Sequence, residues 1–128
     1  MISQITAGIE VRVETSYQPA FSQPALHNYA FSYKIHIVNH NDFVVQLISR
    51  KWIIKNGFGE IDVVEGDGVV GRQPVLYAGD SYEYVSGCHL ISTIGTMEGI
   101  YFFENKQTNE IISAIIPLFK LEAIEALN

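Results

Sequence analysis

EGDGVVGRQPVLYAGDSYEYVSG, residues 65–87, gathers Gly66, Gly68, Gly71, Gly79 and Pro74 and sets the apolar pairs Val69-Val70 and Val75-Leu76 between them. Neither a helical nor a strand period runs through those pairs, so the first part of the stretch reads as a long shaped loop. It leads into a strand, because Tyr82 and Tyr84 stand two residues apart and share one face. The segments on either side alternate and are rich in β-branched and aromatic residues, which is how a β-sandwich frames a loop.

Upstream, Ile9, Val11 and Val13 alternate with Glu10, Arg12 and Glu14, predicting a first strand with one dry face. Residues 17–27 hold Pro19 and Pro24 and read as a surface connection. Tyr29, Phe31, Tyr33, Ile35 and Ile37 then share a face opposite Ser32, Lys34 and His36, and residues 39–42, NHND, supply a turn. The next strand, residues 43–55, places Arg50, Trp52 and Ile54 on one face, with Trp52 as the natural core plug. A turn at residues 56–59 precedes a short strand around Ile61 and Val63. Downstream, Ser86-Gly87 is expected to end or bulge the tyrosine strand. Met97, Tyr101 and Phe103 mark another strand, residues 105–109 a polar turn, and residues 111–121 the last strand. Pro117 cannot donate to a ladder, so it belongs at an edge or a bulge. Residues 121–127 read as a short helix. Seven to eight strands without crossover helices predict a single all-β domain over residues 1–128, an antiparallel immunoglobulin/fibronectin type III-like β-sandwich.

Composition narrows the function. At 128 residues and 48% hydrophobic, the chain can bury one ordinary core. No apolar run is long enough to span a bilayer and no signal peptide opens the sequence, so a cytoplasmic protein without membrane insertion is expected. One cysteine, Cys88, cannot form an internal bridge, in keeping with a reducing compartment. The formal charge of −6 opposes a phosphate-backbone footprint, and no direct nucleic-acid contact is expected.

Each chemical motif has a structural counter-reading. Gly66-Asp67-Gly68-Val69-Val70-Gly71 satisfies the dinucleotide-binding pattern. The helix that would supply positive field is missing, and Glu65 and Asp67 stand where phosphate would lie. Glycines serving tight turns are the preferred reading, with Gly66, Gly68, Gly71 and Arg72 kept as a candidate anion-binding loop. Among metal donors, His36 and His40 fall roughly 13 Å apart along a strand, and Cys88 and His89 point to opposite faces. No metal site is expected. Ser81 and Ser86 lack a nucleophile elbow, so no catalytic residue is assigned and no cofactor, whether ATP, GTP or NAD, is expected.

The blocks Arg50-Lys-Trp52-Ile-Ile54, Gly66-Asp-Gly68-Val69-Val70-Gly71-Arg-Gln73-Pro74, Gly79, Tyr82-Glu-Tyr84-Val-Ser86-Gly87, Gly95-Thr96-Met97-Glu-Gly99-x-Tyr101 and Ile116-Pro117-x-Phe119-x-Leu121 together resemble the ApaG (CorD) family. The match runs through essentially the whole chain and departs mainly at residues 105–110, where relatives often carry glycine. The resemblance implies a bacterial protein with a fibronectin type III-like sandwich. It also implies a connection to cobalt resistance and magnesium efflux. Similar eukaryotic domains are fused to F-box adaptors and to a DNA-polymerase-delta interacting protein, where binding other proteins is the expected role.

Two functions of different class follow as expectations. The first is a non-enzymatic protein-interaction module that presents Val69, Val70, Arg72 and Tyr77 to a protein partner of unstated identity, a homo-oligomer being one form of it. The alternative is a small-ligand module that binds a nucleotide phosphate or a divalent cation at the glycine-rich loop.

Overall fold

The computed structural model describes residues 1–124. Nine strands run in chain order: β1 (Ile2–Thr6), β2 (Ile9–Tyr17), β3 (Tyr29–Asn39), β4 (Val45–Asn56), β5 (Ile61–Asp67), β6 (Val75–Leu76), β7 (Ser81–Leu90), β8 (Ile94–Asn105) and β9 (Ile111–Glu122). They form two antiparallel sheets, ordered β1-β2-β3-β7 and β5-β4-β8-β9, with β6 continuing the β5 edge along β4. The predicted sandwich is therefore present, with nine strands where seven to eight were expected. The additional elements are β1, whose Ile2 and Ile5 break strict alternation, and the two-residue β6. Residues 18–27 carry short 3-10 turns at Pro19–Phe21 and Pro24–Leu26 and an isolated bridge from Gln23 to Asn28.

Three local readings are corrected. Gly87 does not end β7, which continues to Leu90; it is the point where β7 comes close to β3, since a Cβ there would lie 2.8 Å from the Phe31 carbonyl oxygen. Residues 65–67 belong to β5, so the shaped loop is shorter than its composition suggests. The start of the predicted helix, Leu121 and Glu122, lies in β9, where ladder pairing with Ile94 and Gly95 outweighs a short helical pattern. Residues 125–127 of that reading lie outside the described residues. Pro117 sits on terminal strand β9, where the register shifts between Met97 and Gly99, satisfying both the edge and the bulge expectation.

Period-2 alternation delivers the core. In β3, Tyr29, Phe31, Tyr33, Ile35 and Ile37 are buried, and Ile9, Val11 and Val13 of β2 pack beside them. In β4 a bulge between Leu47 and Ser49 inverts the parity. Val45 and Leu47 face inward before it, and Trp52 does so after it. That inversion turns Arg50 toward the interior, on the same face as Trp52. The Trp52 indole meets Tyr33, Phe119 and Tyr101 at centroid distances of 5.4, 5.9 and 6.3 Å, uniting both sheets. Buried Asn39 ties the next turn down, donating from Nδ2 to the carbonyls of Phe43 (2.9 Å) and Leu76 (3.1 Å).

Outside the core, Arg12 Nε donates to Glu10 Oε2 at 2.6 Å and His40 Nε2 lies 2.7 Å from Glu10 Oε1. The Arg12 guanidinium, and secondarily His40, hold the Glu10 carboxyl at about 2. A depressed carboxyl stabilises the fold above its unfolded value of 4.5, and that contribution is lost as pH falls toward 2. Carboxyl-detected NMR titration should accordingly place the Glu10 midpoint well below the other glutamates, and Arg12→Ala should move it upward. A wild-type midpoint near 4.5 would remove the clamp from this account.

Candidate functional site

The sandwich is closed along one side, where β1 and β2 meet β9. On the other side the edges of β7 and β5 part, leaving a cleft of about 400 Å³ lined by Tyr33, Arg50, Trp52, Tyr84, Ser86 and the turn residues Val69 and Val70, among others. The glycine stretch forms one lip of this opening. From Ile61 to Gly68 it pairs with β4, then leaves for an excursion over residues 69–73, and rejoins the same edge at Pro74, whose carbonyl accepts from the Leu47 amide at 3.0 Å.

The excursion is a two-residue hairpin. Val69 N–H donates to Arg72 O at 2.8 Å and Arg72 N–H returns to Val69 O at 3.0 Å. The residues between them, Val70 and Gly71, have φ of 48° and 76°, the signature of a type I′ turn. Gly71 suits that position. Val70 does not, because a β-branched residue in the left-handed region crowds its own backbone.

Of the residues read as a partner-binding set, Val69 is corrected: it is 1% exposed and packs in the core, because the hairpin folds its side chain inward while Val70 projects outward. Val70 is 63% and Tyr77 62% exposed, and Arg72 is exposed. Tyr77 follows β6 and donates its amide to Asp80 Oδ2 at 2.9 Å. At strand rise it stands on the order of 10 Å farther along the edge than the turn, so the set is a line rather than a cluster.

The anion-binding set is also dispersed. Gly66 lies in β5, where a Cβ would fall 2.8 Å from Arg50 Nη1. The glycine therefore makes room for a guanidinium. The amides of Gly68, Val69 and Arg72 already donate to the carbonyls of Ile48, Arg72 and Val69. Such a loop offers few free donors to a phosphate.

Sequence reasoning missed Arg50, although its signal was visible: an arginine on the same β4 face as Trp52 and Ile54. Arg50 Nη1 donates to the carbonyls of Asp67 (3.1 Å) and Gly68 (2.9 Å), tethering the lip of the cleft. Across from it, burial raises the titration of Tyr33, opposed by the Ser86 hydroxyl. Burial likewise raises Tyr84 and Tyr101, whose hydroxyls are bonded to each other, and the nearby Arg50 charge works against all three shifts. Cys88, also on the cleft wall, is pushed up to about 11 by burial, which leaves it a neutral thiol at physiological pH. Its neighbour His89 points to the outside and bonds Asn28 Oδ1 at 2.8 Å.

Two antiparallel sheets with one closed and one open edge, the opening flanked by a glycine hairpin, define an immunoglobulin/fibronectin type III-like sandwich module. The model of the ApaG domain matches residues 19–105. Protein ApaG of Brucella abortus (strain S19) is 42% identical over 125 residues, covering 98% of this chain and 95% of the relative, and Protein ApaG of Vibrio vulnificus (strain YJ016) is 43% identical over 120 residues. The chain belongs to the ApaG family. A crystal structure of the putative ApaA protein from Bordetella pertussis superposes with a TM-score of 0.85 at 38% identity, covering 94% of each chain. The C-terminal domain of wzt, at 9% identity and a TM-score of 0.55, shares the fold alone. No helix among the described residues is long and apolar enough to cross a membrane.

Proposed function

We propose that this ApaG-family protein is a non-enzymatic interaction module whose partner surface is the sheet edge marked by Val70, Arg72 and Tyr77. The observation that carries this reading is Val70. A β-branched side chain at φ 48°, 63% exposed at the tip of a type I′ turn, costs the fold stability and contributes little burial in return. Asparagine or glycine would serve the turn better. An apolar tip beside an exposed arginine, with an exposed tyrosine farther along the same edge, has the composition of a binding hot spot. The described residues hold no group of three or more His, Cys, Asp or Glu side chains suited to one ion. The proposal therefore carries the cobalt and magnesium connection through the partner.

Val70→Asn should raise stability by about 1 kcal/mol, because asparagine tolerates the left-handed region. The triple variant Val70→Asn, Arg72→Glu, Tyr77→Ser should melt cooperatively and lose the proteins that co-purify with the wild type, a loss of about 2 kcal/mol or more in binding. Thermal melts paired with affinity capture and mass spectrometry make the test. A destabilised Val70→Asn would return the valine to a folding role. A folded triple variant that keeps every partner would place the surface elsewhere.

A further inference from the structure

Arg50 presents an unmatched half of a guanidinium to the edge cleft. It is half-buried, and only its Nη1 is engaged, by two backbone carbonyls. The ion pairs among the described residues join Arg12, Lys34, His40, Lys51 or Lys106 to a glutamate, and Arg50 has no carboxylate partner within 4.0 Å among those residues. No aspartate or glutamate among the described residues lines the cleft, in a chain whose formal charge is −6. Desolvating a cation without a counter-charge is costly, so this arrangement favours an incoming anion.

The walls add donors of the right kind. The indole N–H of Trp52, a residue 4% exposed, makes no hydrogen bond to a described residue. Among the described residues no buried side-chain nitrogen or oxygen is left without a partner, so solvent reaches that N–H, and the cavity that Trp52 lines is this cleft. Ser86 and Tyr33 bring hydroxyls to the same space, while Ile54, Val64, Val69 and Met97 supply an apolar floor. Glycine at position 66 lets the guanidinium lie across β5 into this space, since a Cβ there would fall 2.8 Å from Arg50 Nη1.

We infer that the cleft between β5 and β7 is a receptor for an organic monocarboxylate: the anion on Arg50 Nε and Nη2 and the Trp52 indole N–H, its apolar body against Met97 and Val64. A single guanidinium, already shared with two carbonyls, balances one negative charge, so a phosphate dianion is a poorer match. A free acid and the C-terminus of a peptide share this chemistry. The inference stands on the cleft alone and does not depend on the turn docking a protein.

The chain has one tryptophan, so its indole cross-peak in a ¹H–¹⁵N spectrum reads the cleft without ambiguity. Titrations at low salt would use hexanoate, N-acetylphenylalanine, their neutral amides and inorganic phosphate. Both carboxylates should shift the Trp52 indole and Arg50 Nε–H signals saturably, with dissociation constants on the order of millimolar, and the amides should bind at least about tenfold more weakly. The tighter carboxylate identifies the source, free acid or peptide terminus. Arg50→Gln should abolish the response. Ser86→Leu, which keeps Arg50 and fills the cleft, should do so independently should Arg50→Gln fail to fold. No saturable shift by about 50 mM, equal binding of the amides, tighter binding of phosphate, or undiminished binding in a folded variant would each overturn the assignment.

Discussion

Trp52→Ala is expected to cost about 3 to 5 kcal/mol of folding stability, a large share of the roughly 5 to 15 kcal/mol available to a domain of this size. The indole is 4% exposed and is the common neighbour of Tyr33 from one sheet and of Phe119 and Tyr101 from the other. Its removal leaves a void between rigid strands that cannot slide together, so the cavity penalty adds to the lost transfer free energy. The melting temperature should fall by roughly 10 to 20 °C. Ile61→Ala, at an edge position 59% exposed, is the control and should change stability by under about 0.5 kcal/mol. A Trp52→Ala variant within about 1 kcal/mol of wild type would mean that the sheets are held by something other than this aromatic junction.

Gly68→Ala should lower stability by about 2 to 3 kcal/mol, while Gly71→Ala should cost only about 1 kcal/mol. Both glycines have positive φ, 61° and 76°, so each alanine carries the left-handed penalty. They differ in space. A Cβ on Gly68 would lie 2.2 Å from the Arg72 carbonyl oxygen, the acceptor that closes the hairpin, whereas a Cβ on Gly71 meets nothing within 4 Å. Avoiding that overlap means breaking the Val69 to Arg72 bond or displacing Val69 from the core. Chemical denaturation of both variants checks the order. Equal effects would show that the hairpin relaxes freely and that its closure contributes little.

Much of the architecture was legible because sheets write their burial into the sequence at period 2. Phe31 through Ile37 alternate without interruption, and their inward face is the one the residues predict. Pro117 announced its own edge and bulge, since a residue without an N–H has few places in a ladder. Legibility failed where tertiary pairing overrides local pattern. Ile2–Thr6 has no alternation to read, because both its faces are largely wet and it is held by its ladder with β2. Glu65-Gly66-Asp67 looks like loop by composition, yet β4 offers it a free edge and it pairs as strand.

The candidate site divides in the same way. By itself, the sequence determined that a glycine-rich excursion would interrupt a β-sandwich and that Trp52 would be its plug, and its expectation that Val69, Val70, Arg72 and Tyr77 are spared core duty holds for all but Val69; each reading follows from propensity, periodicity or residue size, which are local. Only the tertiary structure decided that Val69 turns inward while Val70 turns out, because a two-residue hairpin sends adjacent side chains to opposite sides and only the packed core says which side is dry. It alone decided the place of Arg50. A bulge at Leu47/Ser49 resets the parity of β4, and the separation of the β5 and β7 edges opens the cleft that the guanidinium then faces. Neither can be counted along the chain, because both are relations between strands far apart in sequence.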